Sequence, residues 1–204
     1  MTRSVTVIVM AKAPVAGFAK TRLIPALGAE GAAALAARLL QHAVAQARAA
    51  ALGPVELCCA PDQHHPAFAS LHAPPHLVCS DQGNGDLGAR MARAFERRLA
   101  GGASALMIGT DAPALDAAVL RHAADALSHT DAVFIPALDG GYALIGLRRP
   151  APSLFSAMPW STSTVMARTR ERLAAARLRH TELPALADID EAADLVHLPE
   201  GFMG

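Results

Sequence analysis

Three cations stand close together near the amino terminus: Lys12, Lys20 and Arg22, within V-T-V-I-V-M-A-K-A-P-V-A-G-F-A-K-T-R-L over residues 5–23. Val5 to Met10 is an unbroken β-branched and apolar run, the composition of a strand covered on both faces. Pro14 and Gly17 then stop regular structure, so the positive charge gathers at the carboxyl end of that strand, where open α/β sheets bind ligands. Glycine lets a backbone approach closely and the cations offset anionic charge, which suits a polyphosphate. On an extended segment the i, i+2 spacing of Lys20 and Arg22 turns both side chains the same way. A plain solvated basic loop is the alternative, since Lys and Arg are mostly exposed. Neither G-x-x-x-x-G-K-[ST] nor G-x-G-x-x-G is present.

Acidic counterparts lie far along the chain. Ala103 to Ile108 reads as another buried strand, which stops at Gly109-Thr110-Asp111-Ala112-Pro113. Asp111 is either a helix cap or, facing a basic phosphate loop, a ligand for Mg²⁺, which takes one or two carboxylates plus phosphate oxygens. Pro113 is expected to pre-set the first turn of a helix running through Leu127. Near the end, a strand-like run from Leu183 to Ile189 leads into Asp188-Ile189-Asp190 and a short helix from Glu191 to Val196. Alternation puts Asp188 and Asp190 on one face, where they cap that helix or complete a metal site with Asp111.

Two further groups of residues could recognise a ligand. Asp81 to Met91 is a turn-rich stretch whose glycines and amides, at Gln82, Gly83, Asn84 and Gly85, can hydrogen-bond a base or ribose, with a plain loop as the alternative. Asp86 is the expected N-cap of a helix ending near Leu99. Asp139-Gly140-Gly141-Tyr142 joins a strand over 131–136 to a run over 143–147 as a hairpin or bulged strand, and Asp-Gly is an ordinary hairpin turn. Trp160 and Ser161 occupy a neighbouring loop; with Tyr142 they line an acceptor pocket, or Trp160 staples the start of a helix over 162–178. The histidines at 64, 65, 72 and 76 have no helix-face ligand spacing and read as a connecting loop.

These loops need a scaffold that brings distant segments together. An alanine-rich helical pattern over 29–52, a strand over 55–60 and a short strand over 77–80 complete the alternation of β and α segments. A mainly parallel, three-layer α/β/α sandwich in one domain over 1–204 is expected. The 204 residues suffice for one well-filled core, 52% hydrophobic yet only 4% aromatic, which favours helices on a sheet. Eighteen cationic and eighteen anionic residues give zero formal net charge, so no bulk field draws nucleic acid or an anionic membrane. Cys58, Cys59 and Cys79 lie in apolar runs without C-x-x-C spacing, the pattern of free thiols in a reduced compartment. The apolar run after Arg3 is short and broken by Lys12, unlike a cleavable leader, and no segment is read as long enough to span a bilayer. A soluble cytoplasmic protein is expected; nothing speaks to its oligomeric state.

K-A-P-V-A-G-F-A-K-T-R-L, Q-G-N-G-D-L-G-A-R-M, G-T-D-A-P-A-L, D-G-G-Y-A-L-I-G-L, P-W-S-T-S and D-I-D-E-A-A-D-L, in that order, resemble a bacterial family of radical-SAM/selenodomain-associated transferases, also called arsenosugar-pathway glycosyltransferases. Its fold is of the glycosyltransferase-A, nucleotide-diphospho-sugar transferase type. The first loop is also similar to that of 2-phospho-L-lactate guanylyltransferase. The resemblance implies a nucleotide donor held by Ala11, Lys12, Ala13, Gly17, Lys20 and Arg22, by Gln82, Gly83, Gly85 and Asp86, and by Gly109 and Thr110. It implies Mg²⁺ or Mn²⁺ on Asp111 with Asp190, Asp188 in reserve, and a small-molecule acceptor at Asp139 to Tyr142, Trp160 and Ser161. The chain lacks the G-x-G-T-R-M and later Pro-Lys pattern of sugar-nucleotide pyrophosphorylases, and it lacks a full D-x-D at G-T-D-A-P.

Nucleotidyl transfer is the leading expectation: an anionic acceptor attacks the α-phosphate of a nucleoside triphosphate, and Lys20 and Arg22 neutralise departing pyrophosphate. Glycosyl transfer from a nucleotide sugar, with Asp139 or a neighbour activating an acceptor hydroxyl, is the alternative. A nucleotide-binding regulatory protein without turnover is the third reading.

Overall fold

The computed structural model describes residues 4–71 and 77–202; Arg3, His72, Pro74, Pro75 and His76 lie outside the described residues. Among the described residues, seven strands form one sheet in the order β3-β2-β1-β4-β6-β5-β7. They are β1 (Val5–Lys12), β2 (Val55–Ala60), β3 (Leu77–Asp81), β4 (Ser104–Ile108), β5 (Ala132–Pro136), β6 (Tyr142–Leu147) and β7 (His180–Glu182). All neighbours pair in parallel except at β6, which runs antiparallel to β4 and to β5. The expected hairpin joins β5 to β6, and that turn is what reverses β6.

Period-two alternation sends β1 side chains into two cores. Val5, Val7, Val9 and Ala11 meet Leu40, Ala43, Val44, Leu120 and Leu127, carried by α1 (Ile24–Ala49) and α3 (Ala117–His129). Ile8 faces the opposite layer with Met91, Ala94, Phe95, Met166 and Leu173, from α2 (Leu87–Leu99) and α4 (Val165–Ala175). Covering both faces requires the continuous apolar run seen in β1. The fold is thus the expected three-layer α/β/α sandwich on a mainly parallel sheet. In register, Val9 lies opposite Ile108, so the loops leaving β1 and β4 start side by side where the strand order reverses.

Several local expectations are corrected. The first helix runs over Ile24–Ala49 with a break at Gly28 (φ 71°) after its first turn, so the long stretch starts at Ala29 as expected but is preceded by one extra turn and ends at Ala49 rather than Leu52. The third helix is opened by Asp116, whose carboxylate accepts from the Val119 amide at 2.8 Å, not by Pro113; the Pro113 carbonyl instead contacts the His42 ring at 2.9 Å. The fourth helix is shorter than 162–178, at Val165–Ala175. The last strand lies at His180–Glu182, before the run expected to form it. Pro184 has no amide to donate, and beyond it only an isolated bridge joins Ala137 to Leu186.

Contrary to expectation, one segment, Thr21–Ala49, is long and apolar enough to cross a membrane. Its alanines produce that result. In the fold it is a core helix whose buried face includes Leu35, Leu39, Leu40 and Val44, and whose Gln46 carboxamide accepts from the Ala117 amide of α3 at 3.0 Å.

Candidate functional site

The loop after β1 is folded by its own backbone: the Phe18 and Ala19 amides both donate to the Val15 carbonyl at 3.0 Å, and Gly17 takes φ 80°. Lys12 ends β1, exposed, and donates to the Phe18 carbonyl at 2.6 Å. Lys20 then adopts a left-handed conformation (φ 48°, ψ 43°) and a 3-10 turn, Thr21–Leu23, follows. A residue other than glycine in that region carries a local cost of about 1–2 kcal/mol, and such residues gather at functional sites. The twist also overturns the expectation that Lys20 and Arg22 share a face. The Lys20 side chain turns inward, 8% exposed, while Arg22 stays 63% exposed, 3.7 Å from Glu191.

Inward, the Lys20 ammonium pairs with Asp111 and with Asp190 Oδ1 at 2.8 Å, and donates to the Ile189 carbonyl at 2.5 Å. Asp111 arrives from the loop after β4, and Asp190 comes from a segment 79 residues later. Two contacts fasten that segment: the Ile189 amide donates to the Asp111 carbonyl at 2.8 Å, and the Ile189 side chain is fully buried against Leu23, Ala32, Leu35 and Leu39. Glu191 and Asp194 form the capping box of the following 3-10 helix (Ala192–His197), so Asp188 and Asp190 are not its caps. Ile189→Ala is expected to cost about 2–5 kcal/mol, as buried aliphatic truncations do. Urea melts measure this, and an unchanged midpoint would contradict the anchoring role.

Asp188 sits beside this cluster. Burial pushes its carboxyl up, helped by the negative charges of Asp139, Asp190 and Asp111, to about 6 from the ordinary 3.8. The native chain therefore holds a proton at Asp188 that the unfolded chain releases across this window, and the contribution of this group to stability falls as pH rises from about 4 to about 6. Asp188→Asn is expected to remove that decline, matching the parent protein near pH 4 and exceeding its stability at pH 8. Denaturant melts in EDTA at the two pH values check it; no gain at pH 8 would refute the assignment.

The loop after β3 has a different build. The Gln82 side chain, expected to read a base, is buried and its nitrogen donates to the Ala11 and Cys58 carbonyls, each at 3.0 Å, so it stitches β1 and β2 to the loop. Asp86 caps α2 as expected, accepting from the Ala89 amide at 2.8 Å. Arg93 donates to the Gln82 carbonyl and, at 2.9 Å, to that of Asn84, while Arg90 donates to the Gly85 carbonyl at 2.9 Å. Sequence reading missed these two arginines, whose i, i+3 spacing on α2 was the available signal. In a planar trans peptide the N–H points opposite to the C=O, so the amides of Gly83, Gly85 and Asp86 face away from the arginines. Gly83 takes φ 73°, a left-handed conformation that favours glycine over any residue with a Cβ.

The expected acceptor residues divide. Asp139 accepts from the Gly141 amide at 2.7 Å, and Gly140 (φ 93°) packs so closely on Ser163 that no side chain fits. Ser161 is exposed (φ 62°). Tyr142 and Trp160 instead pack edge-on to each other at 6.4 Å, and Tyr142 also meets Phe134 at 5.6 Å, within the core under α2 and α4. Burial holds the Tyr142 hydroxyl well above its usual range, so it stays neutral.

Among the described residues no group of three or more His, Cys, Asp or Glu side chains is arranged to hold a metal. The oxygens that do converge are the Asp111 and Asp190 carboxylates and the Ile189 carbonyl, all on one cation. An all-oxygen set with two carboxylates fits Mg²⁺ or Mn²⁺, which keep further positions for water and phosphate.

The fold has counterparts among known proteins. A crystal structure from Desulfovibrio desulfuricans G20, provisionally named a nucleotide-diphospho-sugar transferase, is 29% identical, with TM-score 0.88 over 98% of this chain and 90% of that one. A nucleotidyl transferase from Methanothermobacter thermautotroptrophicus superposes with TM-score 0.68 at 18% identity, covering 98% of each chain. Rv0371c from Mycobacterium tuberculosis H37Rv, in complex with manganese, gives 0.56 at 16% identity over 97% of this chain and 98% of that one. The last two likenesses are of fold alone. No curated protein matches the sequence. One family model matches residues 35–162, a span that includes Gln82 to Asp86, Asp111 and the Asp139 loop. By that match the chain belongs to the bacterial family described as "Uncharacterized protein conserved in bacteria (DUF2064)".

Proposed function

We propose that the chain, as one domain over 1–204, is a divalent-metal-dependent nucleotidyltransferase that joins a nucleoside triphosphate to a small anionic acceptor and releases pyrophosphate. One observation carries the reading: Lys20 from the first loop meets Asp111 and Asp190 at the carboxyl ends of β1 and β4. A cation that can reach phosphate and two carboxylates that can hold metal thus share one point, as an in-line phosphoryl displacement requires. Mg²⁺ or Mn²⁺ on Asp111 and Asp190 supplies Lewis-acid polarisation of a phosphoryl oxygen when bound.

The remaining work belongs to the chain. Lys20, Arg22 and Lys12 neutralise the phosphates, and the donors of Gly83, Gly85 and Asp86 receive the base or ribose. An acceptor already ionised as phosphate or carboxylate needs no protein base. Buried free Cys58 and Cys59 and the neutral overall charge agree with a cytoplasmic enzyme whose partners are small molecules rather than nucleic acid or membrane.

Glycosyl transfer is the second reading, favoured by the name of the 29% identical Desulfovibrio protein and by Asp139 standing close enough to Asp188 to raise its affinity for a proton. Incubation with each nucleoside triphosphate, Mg²⁺ and a panel of sugar phosphates and hydroxy acids should release pyrophosphate. Release of nucleoside diphosphate from a sugar nucleotide, with none from triphosphates, would replace the first reading by the second.

A further inference from the structure

The Lys20 ammonium is held by three oxygens from two segments, and one of them, the Ile189 carbonyl, is a backbone atom whose position is set by the buried Ile189 side chain and by the hydrogen bond that the Ile189 amide donates to the Asp111 carbonyl. We propose that these three oxygens form a single cation cage which Lys20 and the divalent metal occupy in turn, so that metal enters only as Lys20 leaves for the phosphates of the nucleotide. This deepens the transferase reading and rests on it.

Three features argue for exchange rather than a fixed ion pair. A flexible four-carbon stem carries the ammonium, and rotation about its bonds withdraws it without moving the backbone. The two carboxylates remain partly exposed, so a hydrated metal can reach them from solvent. Finally, an ammonium and a divalent ion cannot share one cage: two positive centres within contact distance repel by far more than a surface ion pair contributes. The left-handed backbone at Lys20 aims the side chain at the cage from the loop that would wrap the phosphates. Lys20 is then an internal stand-in for the metal before substrate arrives and a phosphate ligand afterwards.

The test is Mn²⁺ binding without nucleotide, followed by electron paramagnetic resonance of the free aqueous ion, on the full chain. If Lys20 vacates the cage a tenth of the time or less, Lys20→Met and the neutral Lys20→Gln should each bind Mn²⁺ about tenfold or more tightly than the parent. Lys20→Arg, which keeps a cation, should stay near the parent value. Circular dichroism and melting confirm that each variant is folded, and either neutral variant alone suffices. Asp111→Asn should abolish the gain when combined with Lys20→Met. In protein labelled with carbonyl-¹³C isoleucine, bound Mn²⁺ should show a resolved ¹³C coupling, and its absence would remove the Ile189 carbonyl from the cage and overturn the three-oxygen assignment. Equal Mn²⁺ affinity in parent and neutral variants would overturn the exchange while leaving the metal-dependent reading intact. No Mn²⁺ binding by any form would overturn both.

Discussion

Asp111→Asn is expected to lower metal-dependent turnover by at least about 100-fold and to leave the fold unchanged. The loss follows from what the carboxylate does at its position. It lies in the loop that leaves the central strand β4 and meets Lys20 and the Asp190 segment at one point. The amide isostere keeps the backbone contact from Ile189 but withdraws one of two negative charges from a cation site. Metal polarisation of a reacting phosphoryl group contributes several kcal/mol, and each 1.36 kcal/mol is tenfold in rate. The buried Lys20 ammonium keeps Asp190 and the Ile189 carbonyl as partners, so the replacement creates no buried orphan and the melting temperature should move little. Steady-state rates across a Mg²⁺ titration provide the check. An unchanged rate and Mg²⁺ dependence would remove Asp111 from the metal site.

A large stability effect is expected away from that site, at Glu56. This carboxylate lies on β2 with no exposed surface and accepts from the Ser80 hydroxyl, from Arg97 at 2.9 Å and from Arg98. Burial alone would raise its affinity for a proton, but Arg98, Ser80 and Arg97 together hold it below the ordinary 4.5. Removing one member of a buried ion pair typically costs 3–5 kcal/mol. The arginines keep 33% and 25% exposure and can turn partly to water, which places Glu56→Ala near the lower end, about 3 kcal/mol. The folded-state value is depressed, so the stabilisation is present above pH 4.5 and is lost as pH falls through the folded value. Guanidinium melts of the parent, Glu56→Ala and Glu56→Gln should therefore differ most near neutrality, with parent and Gln variant converging in acid. Coincident midpoints at pH 7 would contradict this account of the network.

The fold was legible where local chemistry decides it. The strand over 55–60 and the Asp86-capped helix ending at Leu99 match expectation because an apolar run, a capping carboxylate and a helical period act over a few residues. The final strand was misplaced because pairing with β5 is a long-range choice, while Pro184 forbids continuous pairing where composition favoured it. The sequence pointed to Lys20, Asp111 and Asp190, yet their meeting depends on a left-handed lysine, which no local rule predicts, and on Ile189 finding a pocket beneath α1. Gln82 illustrates the converse: an amide in a glycine-rich loop looked free to bind ligand, and its burial between two strand ends appears only in three dimensions.

The central claim is that Asp111 and Asp190 jointly hold the metal that serves a nucleotide donor. Crystals grown with Mn²⁺ and each nucleoside triphosphate, measured at the manganese edge, test it most directly. The account predicts an anomalous peak at about 2.0–2.3 Å from a carboxylate oxygen of each residue, with Lys20 turned onto phosphate. A nucleotide bound elsewhere, or a manganese peak that touches neither aspartate, would contradict it.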